Sequence, residues 1–160
     1  MLLAYRLPRE PSTPRITVWR KLKRLGVAQL SDGLVALPLD ARNREQLEWV
    51  ADEVVEASGE AAVWLAQPTS LTQERALVGA MAAARAAEYR EVTAAAHAVL
   101  GAEAGARRRT LARLRRELRR IGRRDYFPPP ERAQARSALA ALAAQDRASA
   151  TAPVDEAGAR

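Results

Sequence analysis

The sequence contains no cysteine and a single histidine, His97. Disulfides, thiolate metal sites and thiol redox chemistry are therefore excluded, and a metal site built from histidines is disfavoured. The sequence also has no glycine-rich phosphate loop, no nucleophile with a base in motif context and no carboxylate cluster placed for a metal ion. These absences predict a protein that is not an enzyme and that uses no cofactor or metal.

Aromatic residues and long apolar runs are also scarce. Phe, Trp and Tyr make up 4% of the chain, and alanine and leucine supply most of the apolar residues, which favours helix. The first residues, MLLAYRLPRE, lack a basic segment, and their apolar run is too short for a signal peptide or a membrane span. We therefore expect a cytoplasmic protein with no membrane partner.

Positive charge is concentrated in two segments. The net charge is +7, and residues 1–26 carry seven basic residues against Glu10, while residues 106–124 carry ten arginines against Glu117. Clustered positive charge of this kind is typical of proteins that bind a polyanion, and nucleic acid is the default partner. The charge distribution therefore predicts binding to nucleic acid.

The order of apolar runs in residues 1–68 indicates an α+β domain. Two short apolar runs flank Asp32-Gly33, which is a strong hairpin signal, and Asp40 can cap the helix that follows. The resulting order is strand, helix, strand, strand, helix, strand, as in the ferredoxin-like split βαβ fold with a four-stranded antiparallel sheet and two helices. The uncovered sheet face requires either a second copy of the chain or the helices that follow, and we expect a homodimer.

A helical extension is predicted for residues 69–145. A long helix begins at the capping-box pattern Ser70-Leu71-Thr72-Gln73, and a second helix over residues 106–122 has a heptad-like leucine seam. The small, polar residues 146–160 are predicted to be a disordered tail.

The basic residues of both charged segments are candidate nucleic-acid contacts, because guanidinium groups bind phosphate bidentately and release counterions. The alternative is a solvated helix face with no ligand. The predicted contacts are Arg15, Arg20, Lys21, Lys23, Arg24, Arg107, Arg108, Arg109, Arg113, Arg116, Arg120, Arg123 and Arg124.

Several separate blocks of sequence resemble one known family. They include Tyr5-Arg6-Leu7-Pro8, Val18-Trp19-Arg20-Lys21-Leu22, Glu48-Trp49, Arg85-Ala86-Ala87-Glu88-Tyr89 and Asp125-Tyr126-Phe127. Over about residues 1–145 the chain resembles the N-terminal domain of ChrB, the chromate-resistance regulatory protein. The resemblance implies repression of chromate efflux genes through DNA binding, with chromate as the effector that relieves it.

The first half is also similar, more distantly, to PaaX-type repressor middle domains and to small ferredoxin-like CRISPR-associated nucleases. These share a strand that ends in Tyr-x-x-Pro, and in the nuclease group an aspartate at that strand end holds a metal ion. Here the strand end carries Arg6 instead. Because a divalent ion needs oxygen ligands, metal-dependent cleavage is disfavoured.

Two further hypotheses stay open. The chain is a chromate-binding oxyanion sensor if Arg6, Arg15 and Arg85 converge, since guanidinium groups suit a tetrahedral dianion. Alternatively, it is a protein-interaction module whose basic helix binds an acidic partner.

Overall fold

The structure, a computed structural model, describes residues 1–151 and the side chains of residues 1–148. In this part of the chain the elements are, in order, β1 (Leu2–Arg6), α1 (Ser12–Leu25), β2 (Ala28–Ser31), β3 (Leu34–Ala36), α2 (Ala41–Glu56), β4 (Glu60–Trp64), α3 (Leu71–His97), α4 (Ala104–Gly122) and α5 (Glu131–Thr151). The chain forms two compact units. The first comprises Met1–Ala83 and Arg124–Phe127, and the second comprises Ala84–Arg123 and the chain from Pro128 onward.

The first unit contains a four-stranded antiparallel sheet with the order β2-β3-β1-β4. Leu3 in the central strand β1 pairs with Val35 of β3 and Val63 of β4, and it is fully buried. The core of this unit also takes in Leu22 of α1 and Leu47 of α2. The predicted ferredoxin-like α+β fold is therefore confirmed.

The turn between β2 and β3 depends on a glycine. Gly33 has a φ of 72°, which L side chains rarely adopt, and its carbonyl accepts a 2.7 Å hydrogen bond from the Tyr5 backbone N–H. A Cβ added at this position would lie 2.3 Å from the Tyr5 carbonyl oxygen. The absence of a side chain at Gly33 therefore allows the β2–β3 turn to lie directly against the backbone of β1.

The sequence predicts a helix that starts at Pro14, because proline suits the first helical turn, and stops at Gly26, because glycine supplies the left-handed turn that ends a helix. Helix α1 ends as predicted but begins earlier. Gly26 adopts the left-handed conformation, and its N–H bonds to the carbonyls of the last helical turn. The helix begins at Ser12 rather than at the predicted Pro14, and Pro11 takes the N-cap position with no side-chain cap. The difference arises because proline is tolerated throughout the first turn, where backbone N–H groups lack helical partners.

Helix α2 is anchored by a polar cluster around the buried side chain of Asn43. The Asp40 carboxylate accepts a 2.7 Å hydrogen bond from the Asn43 backbone N–H, and the Asn43 side chain, 2% exposed, donates to the carbonyl of Pro38. The Tyr126 hydroxyl lies 2.9 Å from Asn43 Oδ1 and 3.0 Å from the Leu25 carbonyl oxygen, and these two acceptors share its single proton. Tyr126 therefore docks onto the core of the first unit.

The second unit has its own core. Tyr89 and Val92 of α3, Leu114 of α4 and Leu142 of α5 are buried in it. Helix α5 continues to Thr151, so residues 146–151 of the predicted tail are helical, whereas residues 152–160 lie outside the described residues. Within residues 1–151, no helix combines the length and hydropathy that a membrane span requires.

Candidate functional site

Helix α4 presents a straight row of arginines opposite its buried seam. Arg109, Arg113, Arg116 and Arg120 follow each other at i, i+4, i+7 and i+11, and all four are exposed. This spacing keeps side chains on one helix face. With a rise of about 1.5 Å per residue, the row is about 16 Å long. We call these four residues the arginine row.

Most of the arginine row has no acidic partner. Arg120 donates a 2.9 Å hydrogen bond to Glu117. Within the described residues, the side chains of Arg109, Arg113 and Arg116 form no salt bridge or hydrogen bond. Like charges at i and i+4 destabilise a helix, and a bound polyanion would relieve that repulsion.

Three other arginines predicted on α4 differ in their surroundings. Arg107 is only 7% exposed and donates a hydrogen bond to the carbonyl oxygen of Ala102, so it is removed from the predicted interface. Arg108 stays exposed and lies 3.7 Å from the carboxylate of Asp146. Arg123 is exposed at the end of α4.

The last predicted arginine, Arg124, belongs to the short segment that clusters with the first unit, and it is half-buried. It also has an interaction partner within the structure. Arg124 is therefore less suited to a ligand than the exposed arginines of α4.

The basic residues of α1 divide into an exposed group and an engaged residue. Arg20, Lys23 and Arg24 are exposed, whereas Lys21 forms a salt bridge with Glu53 of α2. Each partner of this bridge retains 35% of its side-chain exposure, so the pair is partly screened by solvent. Arg15, in the first turns of the helix, is exposed as well, so the outward cationic face of α1 consists of four residues.

A cavity of about 1030 Å³ lies at the end of the sheet where β1 finishes. Four segments surround it: the end of β1 with the residues after it, the first turns of α1, the β2–β3 turn and the α2–β4 loop. Three arginines line it, Arg6, Arg9 and Arg15, together with the carboxylates Asp32 and Glu60. We call it the β1-end cavity.

The charged side chains of the β1-end cavity are not paired with each other. In the part of the chain that the structure describes, no salt bridge or hydrogen bond engages its three arginines or its two carboxylates. Burial raises the pKa of the Tyr5 phenol, with Arg15 opposing this shift and Asp32 adding to it. Arg15 and Asp32 therefore both act on the Tyr5 hydroxyl.

Two of the three residues predicted for an oxyanion site line the same cavity. Arg6 and Arg15 line the β1-end cavity. Arg85 lies on the portion of α3 that belongs to the second unit, where its guanidinium donates a 2.9 Å hydrogen bond to Glu88.

Sequence reasoning missed several members of these surfaces. Arg9, Asp32 and Glu60 were not predicted as site residues. In a split βαβ fold, however, the end of β1, the β2–β3 turn and the start of β4 lie at the same end of the sheet. Arg115 and Arg119 are also exposed on α4. Combining the predicted topology with the charge map would have identified the first three.

By its architecture the chain is a ferredoxin-like α+β protein with a helical unit whose surface carries unpaired arginines. The family model described as Protein ChrB, N-terminal, matches residues 15–152, and the chain belongs to this family. Family membership confirms the resemblance seen in the sequence and supports a regulatory role in chromate resistance. No curated protein and no solved structure gives a significant match.

Proposed function

We propose that the protein is a DNA-binding transcriptional regulator, acting as a repressor in chromate resistance. It contacts the phosphate backbone through the arginine row of α4 and through the outward face of α1. The observation that carries the proposal is the unpaired state of Arg109, Arg113 and Arg116 on one exposed face. The family supplies the regulatory context.

The dimensions of the arginine row suit a duplex. Double-stranded DNA carries about one negative charge per 1.7 Å of axis, so a row about 16 Å long faces a dense line of phosphates. Arginine binds phosphate with two parallel N–H···O bonds, which fixes position as well as supplying charge. Phosphate contacts alone read no sequence, so promoter specificity requires additional contacts.

A binding titration tests this proposal. The full chain is titrated with the promoter region of its own gene and with a random duplex of equal length and base composition, at about 50 and about 200 mM salt. We expect tighter binding to the promoter and weaker binding at the higher salt concentration. Equal affinity for both duplexes, or no binding at physiological salt, would contradict specific regulation.

We also propose that the regulator is a homodimer. Trp64 ends the edge strand β4 and is 59% exposed, and the following Leu65 is 69% exposed. A large exposed apolar side chain on an edge strand favours association with another chain. Sedimentation equilibrium should give a dimer mass that Trp64→Glu shifts toward the monomer, and a monomeric mass for the unmodified chain would contradict the proposal.

A second candidate function is direct binding of an oxyanion such as chromate. It is favoured by the placement of Arg6 and Arg15, with Arg9, around the β1-end cavity. Calorimetry with chromate and with sulfate tests it. Heat release and a thermal shift with chromate are expected, and the absence of both would remove this function.

A further inference from the structure

The lining of the β1-end cavity contains more than an inorganic anion would contact. Its volume of about 1030 Å³ is at the upper end of the range typical of sites for organic ligands. A tetrahedral oxyanion bound by the arginines would occupy only a small part of it. The rest of the lining therefore implies a larger ligand.

One wall of the cavity is apolar and partly aromatic. Ile16 and Trp19 of α1 line it, and Ile16 is 47% exposed although it lies in the first turns of a core helix. The Trp19 ring carries the Lys23 ammonium 4.9 Å from its centroid. Trp19 itself is half-buried, and an apolar and aromatic surface of this kind beside arginines is suited to a planar organic group.

The two carboxylates add a second requirement. Asp32 and Glu60 would repel an inorganic anion, yet they line the same cavity as Arg6, Arg9 and Arg15. Ionised carboxylates only accept hydrogen bonds, so they select a ligand that carries donors. The ligand therefore combines an anionic group, a planar body and hydrogen-bond donors.

We propose that the β1-end cavity binds a nucleoside monophosphate, with the phosphate at the three arginines, the base against Trp19 and the base donors on Asp32 or Glu60. This inference rests on the proposal that the arginines of this cavity bind an anion. Guanine fits best, because its pairing edge offers two adjacent N–H donors that one carboxylate accepts together.

The start of α1 supports the position of the phosphate. Ser12, the first residue of the helix, lines the cavity, and the helix has no side-chain cap. The uncapped amides and the positive end of the helix dipole favour an anion there.

A base that carries a 5′-phosphate occurs both as a free nucleotide and at the 5′-phosphorylated end of a DNA strand. Calorimetry on the full chain compares GMP, guanosine, inorganic phosphate and chromate. A duplex with a single-stranded 5′-phosphoguanosine overhang is then compared with the same duplex lacking that phosphate. Binding of GMP identifies a free nucleotide, and binding only of the phosphorylated overhang identifies a strand end.

We expect GMP or the phosphorylated overhang to bind at least about tenfold more tightly than guanosine or inorganic phosphate, because only a nucleotide engages arginines and carboxylates together. Failure of both nucleotide probes to exceed inorganic phosphate overturns the inference. If chromate binds while both nucleotide probes fail, the oxyanion proposal stands and only the nucleotide inference falls. If no anion binds, both fall.

Variants locate the site. Arg9→Ala should weaken binding of the nucleotide probe by about tenfold, through loss of a charge-assisted hydrogen bond. Arg42→Ala, an exposed arginine of α2 outside the cavity, is the control and should leave affinity unchanged. Either Glu60→Gln or Asp32→Asn should reduce the preference for GMP over UMP while inorganic phosphate binds as before, and an unchanged preference in both variants would contradict the placement of the base. Equal affinities for Arg9→Ala and Arg42→Ala would place the ligand elsewhere and overturn the inference.

Discussion

Replacing Arg113 and Arg116 together by alanine should reduce the salt dependence of DNA binding without unfolding α4. Both side chains are exposed and make no salt bridge or hydrogen bond within the described residues, so their removal leaves no buried partner unsatisfied. Alanine has a helix propensity at least as high as that of arginine. The change therefore acts on the ligand rather than on the fold.

The magnitude follows from counterion release. Each phosphate neutralised on B-DNA contributes about 0.9 to the slope of log K against log salt, so the double variant should have a slope smaller by about 1.8. Fluorescence anisotropy with a labelled promoter duplex at four or more salt concentrations, roughly 50 to 300 mM, measures this slope. Circular dichroism of the same samples checks that helix content is retained.

The matched control removes the same charge from another part of the chain. Arg42 of α2 and Arg75 of α3 are exposed, and no salt bridge or hydrogen bond involves their side chains in the described part of the chain. Their double alanine variant has the same net charge as the α4 variant. Its slope should equal that of the unmodified protein. Equal slopes for the two double variants would show that net charge, and not the arginine row, governs binding.

Further predictions concern the first unit. Gly33→Ala should cost about 1 to 3 kcal/mol in the free energy of unfolding, because its φ is 72° and the Cβ would lie 2.3 Å from a carbonyl oxygen; Gly79→Ala, where a Cβ meets nothing within 4 Å, should be neutral or stabilising in the same thermal denaturation. Tyr126→Phe should cost about 1 kcal/mol, and Asn43→Ala about 2 kcal/mol or more because it leaves buried partners unsatisfied; equal costs in urea denaturation would contradict the shared-proton arrangement. Burial raises the pKa of Tyr5, so the unfolded chain loses its phenolic proton first and stability falls as pH rises above about 10. Tyr5→Phe should reduce the loss in the free energy of unfolding over this pH range. If the free energy of unfolding of Tyr5→Phe depended on pH as that of the unmodified protein does, the raised pKa of Tyr5 would be contradicted.

Local patterns predicted the sheet well because their signals lie within a few residues. The Asp32-Gly33 dipeptide between apolar runs marked the hairpin, and Gly26 marked the end of α1. The start of α1 was harder to predict. Proline is preferred in the first helical turn, but this preference does not decide whether the helix begins near Pro11 or near Pro14.

The burial of Arg107 has a physical explanation that the sequence already contained. Arg107, Leu111, Leu114, Leu118 and Ile121 follow one another at i, i+4, i+7, i+11 and i+14, so periodicity places this arginine on the seam. The positive charge of Arg107, taken alone, predicts an exposed side chain. Its long aliphatic stem can nevertheless be buried, because the Ala102 carbonyl accepts a hydrogen bond from its guanidinium group.

The β1-end cavity could not be predicted from spacing. Its lining comes from residues 5–19, 29–33 and 58–60, three stretches that are separated in the chain, and the sheet order brings them to one end of the sheet. The close approach of Gly59 shows this dependence, since a Cβ there would lie 2.5 Å from the Arg6 carbonyl oxygen. The charges were visible in the sequence, but their convergence is a property of the fold.

The contact made by Tyr126 determines when the first unit can be completed during synthesis. Its hydroxyl meets the Leu25 carbonyl and Asn43, which precede it by 101 and 83 residues. The ribosome must therefore release the chain as far as Tyr126 before these hydrogen bonds form, although the four strands have emerged long before. A chain cut between α3 and α4 would retain every strand of the sheet and still lack this contact, so cloning boundaries for the ferredoxin-like unit should extend past Phe127.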